Sequence, residues 1–533
     1  MLKKIRLYAP IVAVLVILQG LSSCNNFLDI KPDKYVVSTE SYYKTEEQLD
    51  IALRGVYAVL AETFVYGNSM LGRMGLEADE GFMHFPTDNG TIGYYVVNTT
   101  DDKLLNHWRA LYRGISRANS LLKNIDQADL QVTDEKRELI KGQALFLRGY
   151  YYFLLVSRFG GVPMPLDPPV SSENEVLQLK RSTIKEVYAQ VLSDMEHAAT
   201  LVEDINTVES AGRVSRSAVW AVLARVNLYM AGYPLLEKER YSEAAKWARK
   251  VIDLGFHRLN PSYEEVFVNY AQDKYDSKES IWEVEFWGNG TGVYNVTGGS
   301  VGINNGIAYS ATGTLGFGFS QGMVRPHPWL YRLYDTDDKR RDWAISPYRY
   351  GTNGKEAFPV TSLLIERFCG KFRRENELVL PKTNTQTPQN FPLVRYSDVL
   401  LMAAEAINES ENSPTNALGL LNKVRRRAKG VEVEGGDITV DLTGLSYEEL
   451  QLEIKNERAR ELCFEALRKN DLIRWGDFYD KMKERLSEVP SGTNTLYTSM
   501  YNYYNNVRER DAMWPIPSYE MGVNPKLEQN PGW

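Results

Sequence analysis

Cysteine is scarce in this 533-residue chain, with only Cys24, Cys369 and Cys463 present. Three thiols cannot build the multi-bridge framework of a small secreted disulfide scaffold. Histidine is scarce too: His84, His107, His197, His257 and His327 are the full set, and no two stand at the spacing of a zinc-binding helix. No phosphate-binding Gly-x-x-x-x-Gly-Lys-Ser/Thr loop occurs. Gly316–Gly322 is one residue off the dinucleotide spacing and opens no evident helix, so chance accounts for it. Positive charge is not in excess: 62 Lys and Arg face 69 Asp and Glu, a formal net charge of -7. That balance argues against nucleic acid as a partner.

Only one long apolar run exists, Ile11–Leu18, and it follows Lys3, Lys4 and Arg6. It is short for a bilayer span and suits the core of a signal peptide. Leu21-Ser22-Ser23-Cys24 then forms a lipobox, which makes residues 1–23 a lipoprotein signal and Cys24 the lipidated first residue. Acyl chains contribute about 0.8 kcal/mol per buried methylene, so two or three hold a protein on a membrane. Residues 24–44 are then a tether. Cys463, at helical spacing with Ala459 and Ala466, reads as a buried thiol; a bridge to Cys369 stays open.

Helical periodicity fills two stretches. Thr45-Glu46-Glu47-Gln48 is a capping box ahead of Leu49, Leu53, Val56 and Leu60. Further helices are expected around Leu104–Ile115 and Ile140–Phe159, the latter ended by Gly160-Gly161-Val162-Pro163. Thr183-x-x-Glu186 and Ser446-x-x-Glu449 cap two more. Two segments read as tetratricopeptide-like hairpins. One joins Ala224–Gly232 to Tyr241–Ala248, and the other joins Leu401–Ala406 to Ala417–Asn422. Between the helical stretches the texture changes, with eleven glycines from Gly288 to Gly322 and Tyr294, Tyr309, Phe317 and Phe319 among them. That is loop chemistry. The expected fold is mainly α, with helix hairpins forming a scaffold for a large irregular region. The parts are 45–270 with a binding loop at 64–99, an irregular region 271–394, and a helical part and tail 395–533, all acting as one structural domain over 24–533.

Asp335-Thr336-Asp337-Asp338 lacks the glycine and closing glutamate of a calcium loop and reads as a solvated turn. Arg425-Arg426-Arg427 reads as a solvated helix face with ion pairs. No metal or cofactor is called for, although a structural calcium ion stays open. Carboxylates are plentiful, so a glycosidase pair also stays open at this level.

Several segments then resemble one family. Cys24-Asn25-Asn26-Phe27-Leu28-Asp29 is similar to the mature start of SusD/RagB proteins, and Trp108-x-x-x-Tyr112-x-x-Ile115-x-x-Ala118-Asn119 to an early helix. Gln143–Phe153 continues into Arg158-Phe159-Gly160-Gly161-Val162-Pro163. Arg395–Ala406, Asn422–Ala428, Glu457–Glu465, Asp471–Gly476 and the tail from Pro515 to Gly532 complete the resemblance. One departure is Cys463-Phe464-Glu465-Ala466, where the family usually carries smaller residues, Ala or Gly, at the first and last positions. The motif residues Arg148, Tyr152, Arg158, Glu405, Arg458 and Glu461 are expected to hold helices together. What the resemblance implies is a non-catalytic outer-membrane lipoprotein, exposed at the cell surface. It would bind an oligosaccharide and pass it to a SusC-like TonB-dependent transporter. A peptide-binding lid of the RagB branch is the alternative; a surface glycoside hydrolase and a ligand-free helical adaptor stand behind it.

Sugar rings offer an apolar C–H face and a rim of hydroxyls, so flat aromatics beside Asp, Asn, Arg or Gln are the expected binding set. The first irregular stretch supplies Asp79, Glu80, His84, Asp88, Asn89, Tyr94 and Tyr95. The second supplies Trp287, Asn289, Tyr294, Asn304, Asn305, Tyr309 and Trp329. Of these, Asp79, Tyr94, Tyr95, Trp287, Asn289, Tyr309 and Trp329 are the expected ligand residues, with Trp287 and Trp329 foremost. Trp108 and Trp475 lie on core helix patterns and are set aside.

Overall fold

Side-chain caps open many of the helices. Thr45, Thr183 and Ser446 each accept the amide hydrogen three residues on, while Gln48, Glu186 and Glu449 reach back to the cap backbone. The computed structural model describes residues 42–533 apart from 69–77, 85–91, 128–131, 170–172, 174–176, 209, 211, 288–297 and 436. The signal segment, Cys24, the tether through Ser41, and Asp88, Asn89, Asn289 and Tyr294 therefore lie outside the described residues.

The first helical part contains α1 (Glu46–Tyr57), α2 (Asp102–Asn124), α3 (Asp134–Phe159), α4 (Ile184–Leu201), α5 (Arg216–Ala231), α6 (Arg240–Asp253) and α7 (Tyr263–Ala271). The irregular region holds a short helix, α8 (Pro328–Leu333). After it come α9 (Tyr396–Glu411), α10 (Pro414–Lys429), α11 (Tyr447–Leu462), α12 (Arg468–Trp475), α13 (Phe478–Ser487), α14 (Thr495–Asn506) and α15 (Ser518–Val523). Helices α2 to α6 pack each against the next, and α9 docks on α6 before packing on α10 and α11. The two sequence-predicted hairpins, α5/α6 and α9/α10, are thus neighbours across more than 140 residues of intervening chain. Small residues permit the close approach: Ala224, Ala244, Ala248, Ala403 and Ala404 are all fully buried.

Strands are few and short. They form three antiparallel pairs: β1 (Gly81–Met83) with β3 (Val324–Pro326), β2 (Ser280–Val284) with β6 (Phe391–Arg395), and β4 (Tyr348–Gly351) with β5 (Gly354–Ala357). The β2–β6 pair fastens the irregular region to the helices. Trp282 of β2 is fully buried, edge-on to Phe146 and Tyr150 of α3 at 5.0 and 4.8 Å, and β6 runs straight into α9. One apolar core continues from Leu49 to Leu527. The expectation of a mainly helical, hairpin-bearing fold with a loop-rich addition is met.

Buried ion pairs lock the C-terminal helices. Glu461 accepts from Arg427 at 2.6 Å, Arg395 at 3.0 Å and Arg340 at 3.1 Å, all within the interior. Burial alone would raise its pKa, but these three guanidiniums hold it well below the ordinary carboxylate range. Arg458 bridges Asp398 and Asp471, Arg474 grips Glu405, and Arg148 takes Asp194 with two bonds of 2.7 Å. Tyr152 donates to Pro165 O at 2.6 Å. Arg158 bonds Leu154 O and Ser157 Oγ and faces Trp514. The tail returns to the Gly160-Gly161 turn, where Asn530 Nδ2 donates to Phe159 O and Trp514 O.

The Asp335–Asp338 turn carries ion pairs, with Asp335 and Asp337 on Lys429 and Asp338 on Arg340. No cluster of metal-ligating side chains occurs among the described residues. Arg427 corrects the reading of the basic run as solvated: Arg425 and Arg426 reach Asp335 and Asp441 near the surface, whereas Arg427 is buried on Glu461. Cys369 and Cys463 are both buried free thiols.

Candidate functional site

The two irregular stretches have separate fates. Residues of the first turn inward and meet the C-terminal helices. Asp79 is fully buried and held by Arg468 through bonds of 2.8 and 3.0 Å, which correct its expected place in a ligand rim. Its carboxylate is engaged on both oxygens. Glu80 is buried as well, accepting from Phe464 N at 2.7 Å. Tyr94 and Tyr95 are likewise buried; Tyr95 stacks edge-on with Tyr503 at 5.4 Å, and Tyr94 O accepts from Asn506. Trp329 joins the same junction, because Arg468 and Arg485 lie 5.5 and 4.7 Å from its ring. It is partly buried against the core. His84 bonds Ser499. The structure thus brings Asp79, Tyr94, Tyr95 and Trp329 to one region, and that region is a packed joint.

The second stretch behaves differently. Trp287, just beyond β2, is 66% exposed, the most open aromatic ring among the described residues. Tyr309 is half-buried and pairs with Ser320 across a bridge of two backbone hydrogen bonds, 2.9 and 3.2 Å. Its hydroxyl accepts from Leu315 N at 2.9 Å, closing the turn between them. Two rings that sequence reasoning had not selected join it. Phe317 and Tyr350 stack face to face at 4.1 Å with 14° between their planes, and Tyr309 meets both edge-on at 5.3 and 5.6 Å. All three remain partly open to solvent. This cluster of rings, carried by the 306–322 loop and the β4–β5 hairpin, is the candidate site. Asn304 and Asn305 lie buried behind it, Asn304 on Asn68.

Arg374 is the post that holds these loops. It is 1% exposed and donates to Phe319 O at 2.7 Å, Thr383 O at 2.8 Å and Gln386 O at 3.3 Å. Its remaining N–H groups take Glu377 at 2.9 and 3.0 Å, and Glu377 also accepts from Thr387 and Gln389. Such a fully paired guanidinium fixes otherwise irregular backbone. Gly318 makes the approach possible. Its φ is +87°, and a Cβ there would stand 3.1 to 3.2 Å from Lys382 and Arg374. The rim is charged: Tyr348 donates to Glu375 at 2.6 Å, Lys355 pairs with Glu375, Arg349 with Glu356, and Lys382 lies beside Gly318. Sequence reasoning found the glycine-rich loop but missed its supports. Phe317 was visible as an aromatic between glycines. Tyr350 and Arg374 lay in a stretch with no periodicity to flag them.

A separate cleft of about 770 Å³ opens between α2, the proline-rich 163–169 segment and α15. Its polar lip groups already satisfy one another: Arg109 bonds Glu520, Gln178 bonds Val523 O and Asn524 bonds Leu179 O. Trp108 on its floor is 3% exposed. Among the described residues the rest of its lining is mostly apolar, with Tyr112 partly open and the Asp167 side chain exposed.

Two family models match the chain. One, described as starch-binding and associating with the outer membrane, covers residues 26–228; the other, the SusD family, covers residues 348–533. SusD-like protein P25 of Formosa agariphila is 27% identical over 547 residues, spanning 95% of each chain. A SusD homologue from Bacteroides thetaiotaomicron superposes with a TM-score of 0.85 at 26% identity, covering 93% of this chain and 98% of that one. A laminarin-binding SusD-like protein matches the fold with a TM-score of 0.72 at 23% identity, over 92% of this chain and 100% of its own. With matching models at both ends and one continuous fold between them, the chain belongs to the SusD/RagB family.

Proposed function

We propose that this protein is a surface glycan-binding lipoprotein that captures an oligosaccharide and hands it to a SusC-like TonB-dependent transporter. The observation that carries the reading is the partly open Phe317–Tyr350–Tyr309 cluster on an otherwise irregular face, with the exposed Trp287 on the same glycine-rich stretch. Flat, partly solvated rings held by buried supports are what the apolar face of a sugar requires, and the surrounding Glu, Lys and Arg groups suit its hydroxyls. Family membership supports the setting at the outer membrane, and the lipobox at Cys24 supports anchoring there.

The role is non-catalytic in this reading. Hydrolysis needs two available carboxylates across a glycosidic bond. Around the rings, Glu356, Glu375 and Glu377 are each engaged by a cation. Isothermal titration of the lipid-free mature chain against neutral and acidic oligosaccharides and a peptide digest tests the proposal. Saturable binding of one glycan class is expected, without product release. Phe317→Ala or Tyr350→Ala should weaken it about threefold to tenfold, as loss of an aromatic contact of ~0.5–1.5 kcal/mol predicts. Binding of peptides alone would transfer the protein to the peptide-carrying branch.

A further inference from the structure

The charge around the ring cluster is not balanced. Arg349 pairs with Glu356, Lys355 with Glu375, and Arg374 with Glu377. Lys382 has no carboxylate within ion-pair distance among the described residues. Its ammonium donates to the backbone oxygen of Glu375 at 3.2 Å, which leaves two of its three N–H groups unused among the described residues. The side chain is half-buried, and its methylene stem lies against Gly318, the residue directly after Phe317. The nearest carboxylates are engaged elsewhere: Glu375 by Tyr348 and Lys355, Glu377 by Arg374, Thr387 and Gln389. Among the described residues, Arg373 behind the hairpin is a second cation without an acid: it donates to Asp342 O and Trp343 O and lies 3.8 Å over the Trp343 ring. A half-desolvated cation beside an aromatic platform attracts an anion more strongly than one in open water, because screening is weaker there.

We infer that the ring cluster takes an acidic saccharide, with a carboxylate or sulfate group of the sugar on the Lys382 ammonium and its ring on Phe317 and Tyr350. The inference rests on the glycan-capture reading above and names the substrate class for it. Lys382 supplies a point charge rather than a planar fork, so it suits either anion. A neutral glycan would leave this ammonium without a counter-charge.

The test uses the lipid-free mature chain and three probes of equal length: a neutral β-glucan oligosaccharide, an oligogalacturonate and a sulfated galactan oligosaccharide. Titrations at low and at physiological salt are run on the native protein, Lys382→Gln and Lys382→Arg. One acidic probe should bind at least tenfold tighter than the neutral one, with affinity falling as salt rises. Lys382→Gln should lose most of that preference and Lys382→Arg should keep it, at unchanged melting temperature. Which acidic probe binds separates carboxylate from sulfate. Equal affinity for the neutral probe, or an unaffected Lys382→Gln, would overturn the inference while leaving glycan capture standing. Silence with every saccharide alongside clear peptide binding would remove glycan capture itself, and the inference with it.

Discussion

Ala466 carries a φ of +61° and Phe464 one of +63°, two side-chain-bearing residues in the left-handed region within three positions. An L-residue there costs roughly 1–2 kcal/mol relative to the right-handed region, a cost glycine largely escapes. The sequence already marked this tetrad as a departure, since the family usually places smaller residues there. The structure supplies the physical reason: the chain turns sharply between α11 and α12 to bring Phe464 N onto Glu80. Ala466→Gly is therefore expected to raise the melting temperature, with a gain of about 1 kcal/mol offset in part by the freer unfolded chain. Thermal unfolding of the two proteins checks it, and a lower melting temperature would contradict it. At this scale, residue types were legible and directions were not. Trp287 and Trp329 look alike in the sequence, both beside glycine or proline. Only packing distinguishes them, because Arg468 and Arg485 flank Trp329 whereas, among the described residues, Trp287 stays 66% exposed.

Among elements, helices were the most readable. The capping boxes at Thr45, Thr183 and Ser446 stand where expected, because a cap is a local contract between residues three apart. The three short strand pairs were not legible, since each joins segments distant in sequence or lacks alternation. Strand β2 also hides an ionisable group. Glu283 is buried and accepts from Ser280 and Asn390, yet burial pushes its pKa up to about 8. An unfolded glutamate titrates near 4.5. Between those values the folded state keeps a proton that the unfolded state has lost, so this group makes stability fall as pH rises from about 5 to 8. Asp398 and Glu457 act oppositely. Arg458 and Arg225 hold Asp398 at about 2, and Arg340 and Arg460 hold Glu457 at about 2, in both cases against the upward push of burial. Their contribution is present above the unfolded values and is lost as pH falls through about 2. Glu283→Gln keeps the neutral shape, with its oxygen accepting from Asn390 and its amide nitrogen donating to the Ser280 hydroxyl in place of accepting from it. Its melting temperature should gain on the native protein progressively from pH 5 to 8. A constant difference across that range would contradict the assignment.

The whole molecule is a helical stack closed by its own tail, with an irregular face fastened to it by β2–β6 and by Arg374. The stack was legible because hairpins repeat a pattern of small and aromatic residues. The docking of α9 on α6 was not, because it joins segments far apart in the chain. The same limit governs the site. The glycine-rich stretch announced a loop surface, but the sequence could not reveal that Asp79, Glu80, Tyr94 and Tyr95 fold inward while Tyr309 and Phe317 stay partly open. Two apolar-lined surfaces therefore compete as binding faces, the ring cluster and the proline-walled cleft beside Trp108. Hydrogen–deuterium exchange of the mature chain, with and without the oligosaccharide selected by titration, decides between them. Protection is predicted over 306–322 and over the β4–β5 hairpin, residues 348–357. Protection confined to 108–112, 163–169 and 520–527, with the ring cluster unchanged, would contradict the account.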